Sequence, residues 1–173
     1  KLHHAKYRFG FTGTLDGTQT HKWVLEGLFG PSYKVTKTDE LMKQGHLAQL
    51  DIQCIVLKHP SQKFETYNDE IEYLISHKQR NTFLKNLALD LKGNTLLLYS
   101  RVEAHGQVLY DLINTSKNND RKVFFVHGGV DAEQREIVRE ITENEKNSII
   151  VASYGTFSTG INIRNLHNVI FAS

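Results

Sequence analysis

From Thr95 onward, short apolar runs alternate with segments of helical periodicity, and this alternation restricts the possible fold more than any other feature of the chain. The runs lack the period-two pattern of a half-exposed strand, as expected when helices cover both faces of a sheet. Strands that alternate with helices form right-handed βαβ units and a parallel sheet. The predicted elements are strand 95–99, helix 103–115, strand 122–126, helix 131–143, strand 148–152 and strand 168–172.

The residues before Thr95 predict further elements of both kinds. Helices are expected at 20–29, 38–44 and 81–91, ended by Gly30-Pro31, Gly45 and Gly93, and a polar stretch from Ser61 becomes helical before Lys78. Strands are expected at 7–11 and 52–57. The single cysteine, Cys54, lies in the second of these runs and is interpreted as a buried structural thiol.

Composition narrows the class of protein without identifying it. The 173 residues are 39% hydrophobic and 23% charged, which indicates a soluble globular protein. No stretch approaches 18 consecutive apolar residues, and no apolar signal region opens the chain. The net charge of +2 is too small to indicate nucleic-acid binding by itself. Nine histidines include no HExxH and no Cys/His pair at ligand spacing, so no metal site is predicted.

The final segment, Val151–Ser173, carries the clearest functional signal. An apolar run, Ile149-Ile150-Val151, leads into a stretch rich in hydroxyl residues and glycine, and a second apolar run follows at Val169-Ile170-Phe171. A strand that ends in such residues leaves hydroxyl and N–H groups at its carboxyl end, where open α/β sheets bind phosphates. The alternative interpretation is a glycine- and serine-rich loop between two buried strands.

This segment resembles motif V of superfamily 2 helicases and translocases, with Ser153, Gly160 and Asn162 at the positions of the ST…GxGxN variant. Three other segments resemble motifs of the same superfamily in the same order. They are 7–14, ending in Thr12-Gly13-Thr14 (motif III); 95–106, with Ser100-Arg101 after a strand (motif IV); and 124–136, with His127-Gly128 after a strand (motif IVa).

The resemblance implies an α/β fold of RecA-like domains, each a parallel sheet flanked by helices, as in P-loop NTPases. Residues 1–60 would be the carboxyl-terminal part of a first domain with motif III, 61–80 a connector, and 81–173 a second domain that stops before motif VI. ATP and Mg²⁺ would bind between the two domains.

The resemblance also assigns roles to individual residues. Gly160 and Asn162 would contact the nucleotide. Thr12, Gly13 and Thr14 would couple the nucleotide site to the nucleic acid. The residues expected to contact nucleic-acid phosphates are Ser100, Arg101, His127, Gly128, Ser153 and Thr156. A surface Arg101 paired with Glu103, and a plain strand-to-helix turn at His127-Gly128, are the structural alternatives.

Several motifs of the superfamily are missing from the sequence. It contains no GxxxxGK[ST], no DExH and no QxxGRxxR, so no catalytic residue and no Mg²⁺ ligand is assigned within it. The chain also begins without Met and stops soon after motif V. We therefore expect an internal piece of a longer protein, cut at both ends and inactive as an ATPase by itself.

The functional expectation is an intracellular, ATP-dependent DNA helicase or translocase. Its partners would be branched or single-stranded DNA, such as recombination and repair intermediates, with RNA–DNA hybrids as a further substrate and no membrane. The alternative is a non-catalytic, helicase-like module that binds nucleic acid or protein without turnover.

Overall fold

The computed structural model describes residues 4–13, 18–117, 120–129, 131–157 and 163–173. The chain divides into two compact units, Lys1–Ile55 and Val56–Ser173. In the described part of the first unit the regular elements are two helices, α1 (Gln19–Phe29) and α2 (Thr38–Lys43). Both lie where the sequence predicts helices, and Gly30 and Gly45 follow their ends with positive φ angles, as helix-ending glycines do.

The second unit is an α/β structure. Its helices are α3 (Tyr67–Ser76), α4 (Lys78–Asp90), α5 (Val108–Ser116), α6 (Ala132–Asn144) and the single turn α7 (Tyr154–Phe157). Its strands are β1 (Thr95–Tyr99), β2 (Val123–Val126), β3 (Ile149–Ser153) and β4 (Asn168–Phe171). The strands form one sheet in the order β2-β3-β1-β4. All three neighbouring pairs are parallel, so the predicted parallel sheet is confirmed.

Helices cover both faces of this sheet because the two central strands alternate their side chains between two apolar clusters. Leu97 and Tyr99 of β1 join the cluster that contains Leu84 of α4 and Leu109 of α5. Leu96 and Leu98 join the opposite cluster, against which Val138 of α6 packs. All residues of β1 and β3 are buried, which explains why their sequences are apolar without alternation.

A buried asparagine closes the amino-terminal edge of the sheet. The Nδ2 amide of Asn94 lies within 2.9 Å of the Thr142 carbonyl and 2.8 Å of those of Glu145 and Asn165, while its Oδ1 accepts from the N–H and hydroxyl of Ser148, each at 2.8 Å. These contacts join β1 to the end of α6, the start of β3 and the segment before β4.

Gly93 and His167 complete this edge. The backbone N–H of Asn94 donates to Nδ1 of His167 at 3.1 Å. Gly93 has a φ of 86°, and a Cβ added there would lie 2.7 Å from the His167 ring. Glycine is required at this position both by its conformation and by the close approach of the ring.

The link between β1 and α5 differs from the predicted helix 103–115. It begins with a π-helical turn, Val102–Gln107, before the α-helix starts at Val108. The backbone N–H groups of His105 and Gly106 both donate to the Arg101 carbonyl, at 3.2 and 2.9 Å. Gly106 packs directly on Tyr99: a Cβ there would lie 2.3 Å from the ring. The wider turn places a residue without a side chain over the aromatic ring.

The strands predicted at 7–11 and 52–57 are wrong, since neither range forms a strand. A strand needs a neighbouring strand for its backbone hydrogen bonds, and the described part of the first unit supplies none. The apolar side chains in these ranges are exposed accordingly; Phe11 and Ile52 are examples. Cys54 is also exposed, which corrects its interpretation as a buried thiol.

Candidate nucleic-acid interface

The six residues expected to contact phosphates all belong to the carboxyl-terminal edge of the sheet. Ser100 and Arg101 follow β1, His127 and Gly128 follow β2, and Ser153 ends β3, with Thr156 in the turn α7 that continues it. The strands are parallel and in register, so their carboxyl ends lie along one edge. Such an edge is the usual ligand-binding side of an open α/β sheet.

Ser100 is held by Ser173, which lies two residues after β4. Its backbone N–H donates to Oγ of Ser173 at 3.0 Å, and the two hydroxyl oxygens are 3.1 Å apart. The hydroxyl of Tyr154 donates to the Ser173 carbonyl at 2.8 Å, and its ring stacks on that of Phe171 at a centroid distance of 6.2 Å. Partial burial raises the pKa of Tyr154, so it stays a neutral donor.

Arg101 is half-exposed and forms an ion pair across to α3. Its Nη1 lies 3.3 Å from Oε1 of Glu72. From the sequence, Glu103 was the alternative partner expected for Arg101. The observed partner is instead Glu72 of α3, which is more distant in sequence. The carbonyl of Arg101 accepts both N–H groups of the π-helical turn, and these bonds fix its backbone.

Ser153 and Thr156 form a buried hydroxyl pair. Their oxygens are 2.7 Å apart, and the residues are 8% and 5% exposed. One hydroxyl hydrogen makes this bond and the other stays available to a further acceptor. The pair fixes the turn at the end of β3 and leaves little of either side chain at the surface.

His127 and Gly128 form the turn after β2. Nδ1 of His127 accepts the Gly129 N–H at 3.1 Å, and the imidazole ring lies 5.3 Å from that of Phe125. Gly128 is exposed, and a Cβ added there would meet nothing within 4 Å. Open backbone beside a fixed histidine is compatible with a phosphate contact, and the turn alone accounts for the same geometry.

Five further site residues are predicted from the sequence. Thr12 and Gly13 belong to the first unit. Thr14, Gly160 and Asn162 lie outside the described residues, so their assignments stay predictions. Among the described residues, no group of His, Cys, Asp and Glu has the arrangement of a metal site, and no helix is long and apolar enough to cross a membrane.

Sequence reasoning did not identify four residues near this edge. Glu72 and Tyr73 of α3 line a cleft beside Arg101. The guanidinium of Arg80 donates to the carbonyl of Ala172, just after β4, and burial lowers its pKa. His105 is fully buried, and neither ring nitrogen has a hydrogen-bond partner among the described residues. Glu72, Tyr73 and Arg80 belong to helices that precede the sheet, and no local sequence pattern relates them to the strand ends.

Comparison with known proteins adds independent information about the chain. No family model matches it. The ATP-dependent DNA helicase UvsW of Enterobacteria phage T4 is 37% identical over 179 aligned residues, which cover 99% of this chain and 35% of the relative. The chain thus spans about a third of that protein's length.

A crystal structure of T4 UvsW matches with a TM-score of 0.55 and 40% sequence identity, covering 64% of this chain and 22% of the solved one. The resemblance to superfamily 2 helicases and translocases is thereby confirmed: the chain is similar to UvsW over nearly all of its own length, and its four-stranded parallel sheet flanked by helices is RecA-like.

Proposed function

We propose that this chain is part of an ATP-dependent superfamily 2 DNA helicase or translocase that acts on branched or recombination DNA inside the cell. The similarity to UvsW supports the class, since that relative is an ATP-dependent DNA helicase. Residues 1–60 form the end of a first RecA-like domain, 61–80 the connector, and 81–173 a second domain. ATP and Mg²⁺ are the cofactors of the proposed helicase, and RNA–DNA hybrids are a further substrate.

The carboxyl edge of the second unit contacts the nucleic acid. The observation that carries this proposal is the gathering of six residues from three strand ends at one edge of the sheet. Hydroxyl, guanidinium and glycine backbone N–H groups all bind phosphate oxygens, and such contacts carry no base information. The edge therefore binds DNA of any sequence.

The nucleotide contacts come from other residues. In this proposal Gly160 and Asn162 contact the nucleotide, and Thr12, Gly13 and Thr14 couple that site to the DNA. Phosphoryl transfer depends mainly on positioning and charge stabilisation, supplied in this superfamily by a phosphate loop and acidic ligands that the present sequence lacks. The purified 173-residue chain should therefore hydrolyse ATP no faster than a protein-free blank. DNA-stimulated turnover above the blank would contradict the assignment of catalysis to other segments.

The substitution Arg101→Ala tests whether the carboxyl-terminal edge, called the DNA edge below, binds DNA. Loss of one phosphate contact should weaken binding of unrelated sequences equally and lower the slope of log K against log salt by about 1. Fluorescence anisotropy of labelled oligonucleotides from 50 to 200 mM salt measures both quantities. Lys92→Ala, a matched loss of positive charge from an exposed side chain beside the opposite, amino-terminal edge, should leave the slope unchanged.

An unchanged slope for Arg101→Ala would assign the residue to its ion pair with Glu72 instead. Denaturation of the variant separates this outcome from misfolding. An exposed ion pair contributes about 0–1 kcal/mol, so the variant should stay folded.

A further inference from the structure

A cleft opens beside the candidate DNA edge, within the second unit. It has a volume of about 370 Å³ and is lined by Glu72, Tyr73, Ile75 and Ser76 of α3 and by Arg101 and Ala104 after β1. That volume is at the lower end of clefts that bind small molecules, about 300–1,000 Å³. The cleft therefore has room for one small ligand. Because Arg101 belongs to both, the cleft is continuous with the edge.

The charged groups of this cleft form an ion pair that an anion can displace. The Arg101–Glu72 contact is a single one of 3.3 Å, and the side chains are 39% and 66% exposed. An exposed pair of this kind contributes little free energy. A phosphate offers the guanidinium two oxygens in the planar geometry that it prefers. A phosphate that approaches Arg101 therefore competes with Glu72 for the guanidinium.

An aromatic ring provides the second wall of the cleft. Tyr73 is half-buried, and three other rings surround it: Phe64 at 5.2 Å, His77 edge-on at 5.4 Å and His59 at 6.1 Å. These neighbours restrict the rotation of the ring. Tyr73 and Arg101 line the same cleft. Proteins that bind single-stranded nucleic acid combine aromatic rings with positive charge, because every base presents a face for stacking.

We propose that this cleft binds one unpaired nucleotide of DNA, with its phosphate on Arg101 in place of Glu72 and its base against Tyr73. The inference rests on the proposed DNA edge and extends it. Phosphate contacts along the edge do not distinguish single strands from duplex. A base can reach Tyr73 only when it is unpaired, so the cleft gives the edge a preference for single strands.

The test compares a labelled oligo(dT) with a duplex of the same length, both binding the 173-residue chain. Tyr73→Ala should weaken oligo(dT) binding roughly tenfold and leave duplex binding unchanged, because one stacked base is lost. Tyr73→Phe keeps the ring and should bind like the wild type. Glu72→Gln should bind oligo(dT) roughly two- to fivefold more tightly, since the competing carboxylate is removed. Glu70→Gln, an exposed carboxylate on the same helix that does not line the cleft, is the matched control.

The outcomes separate this inference from the proposed function. If Arg101→Ala weakens binding and Tyr73→Ala does not, the DNA edge stands and the nucleotide cleft is overturned. Equal losses on oligo(dT) and duplex for Tyr73→Ala would also overturn it, since a lost stack cannot weaken duplex binding. No DNA binding by the wild-type chain would overturn both. Glu72→Gln keeps the cleft testable if Tyr73→Ala fails to fold.

Discussion

The two edges of the same sheet are built differently. At the amino-terminal edge, the Asn94 side chain contacts three carbonyls and one serine, and its own backbone bonds with His167. At the carboxyl-terminal edge, Arg101 makes one exposed ion pair and Gly128 is exposed backbone. The polar groups of the amino-terminal edge bond to one another, whereas several polar groups of the carboxyl-terminal edge lie at the surface.

Because of this difference, we expect substitutions at the two edges to affect different properties of the protein. Loss of a group in the closed network leaves buried polar atoms without partners, which is costly. Loss of an exposed group at the other edge costs little stability and, under the proposed function, removes a contact to DNA. Substitutions at the amino edge should therefore change the free energy of unfolding, and those at the carboxyl edge should change DNA affinity.

The largest effect is expected at the amino edge, for Asn94→Ala. The substitution leaves the Ser148 N–H and the surrounding carbonyls without their partner, and we expect a loss of roughly 4 kcal/mol in the free energy of unfolding. Urea denaturation measures it. Asn68→Ala, on the exposed surface of α3, is the control and should change the free energy by less than about 0.5 kcal/mol. A loss below 1 kcal/mol for Asn94→Ala, taken as about the value of one ordinary hydrogen bond, would show that the network is not essential.

The next largest effect is expected in the pH dependence of the unfolding free energy, through the buried residue His105. Burial, and secondly the charge of Arg80, lower the pKa of His105 to about 4 from 6.5. Between these two values the unfolded chain binds a proton on this imidazole and the folded chain does not. The free energy of unfolding should therefore fall as the pH decreases from 6.5 to 4, by at most about 3 kcal/mol from this group.

His105→Leu isolates this contribution. The difference in unfolding free energy between wild type and variant should be constant from pH 7 to 8, and the wild type should lose stability relative to the variant below pH 6.5. Denaturant titrations at several pH values measure it. Parallel pH profiles for the two proteins would contradict a buried, neutral His105.

A smaller effect is expected from alanine in place of glycine. Gly106→Ala places a Cβ against the buried Tyr99 ring and should cost about 2 kcal/mol, since overpacked cores lose 1–3 kcal/mol. Gly27→Ala makes the same change inside α1 of the first unit, where a Cβ would meet nothing within 4 Å. It should be neutral or stabilise by up to about 1 kcal/mol. Thermal melts compare the pair, and equal losses would contradict the close packing of Gly106 on Tyr99.

The sequence predicted the sheet of the second unit because its strands are buried on both faces. The strand 95–99 was predicted at its observed bounds, and 122–126 and 148–152 within one residue, since apolar runs between helical segments have few other interpretations. The ranges 7–11 and 52–57 are also rich in apolar residues, but the strands predicted there were wrong. Apolar character is a local property, whereas a strand needs a partner that the run itself does not specify.

The candidate site was predictable to the same extent. The positions of Ser100, Arg101 and Ser153 at the ends of strands follow from the predicted sheet, because parallel strands end along one edge. Their roles come from the resemblance to helicase motifs and stay predictions. Glu72, Tyr73 and His105 were not, since their importance depends on contacts between elements distant in sequence. The π-helical turn was also missed, because its bonds differ from those of an α-helix by one residue and leave the same apolar pattern.

The most direct test of the account is to observe which edge of the sheet meets DNA. Backbone ¹H–¹⁵N spectra of the 173-residue chain, recorded during titration with oligo(dT), report on both edges at once. We predict the largest shifts at Ser100, Arg101, His127–Gly129 and Ser153–Thr156, with Gly93, Asn94, Ser148 and His167 nearly unchanged. Shifts concentrated at the amino edge, or absent from the carboxyl edge while DNA is bound, would contradict the assignment of nucleic-acid binding to the carboxyl ends of the strands.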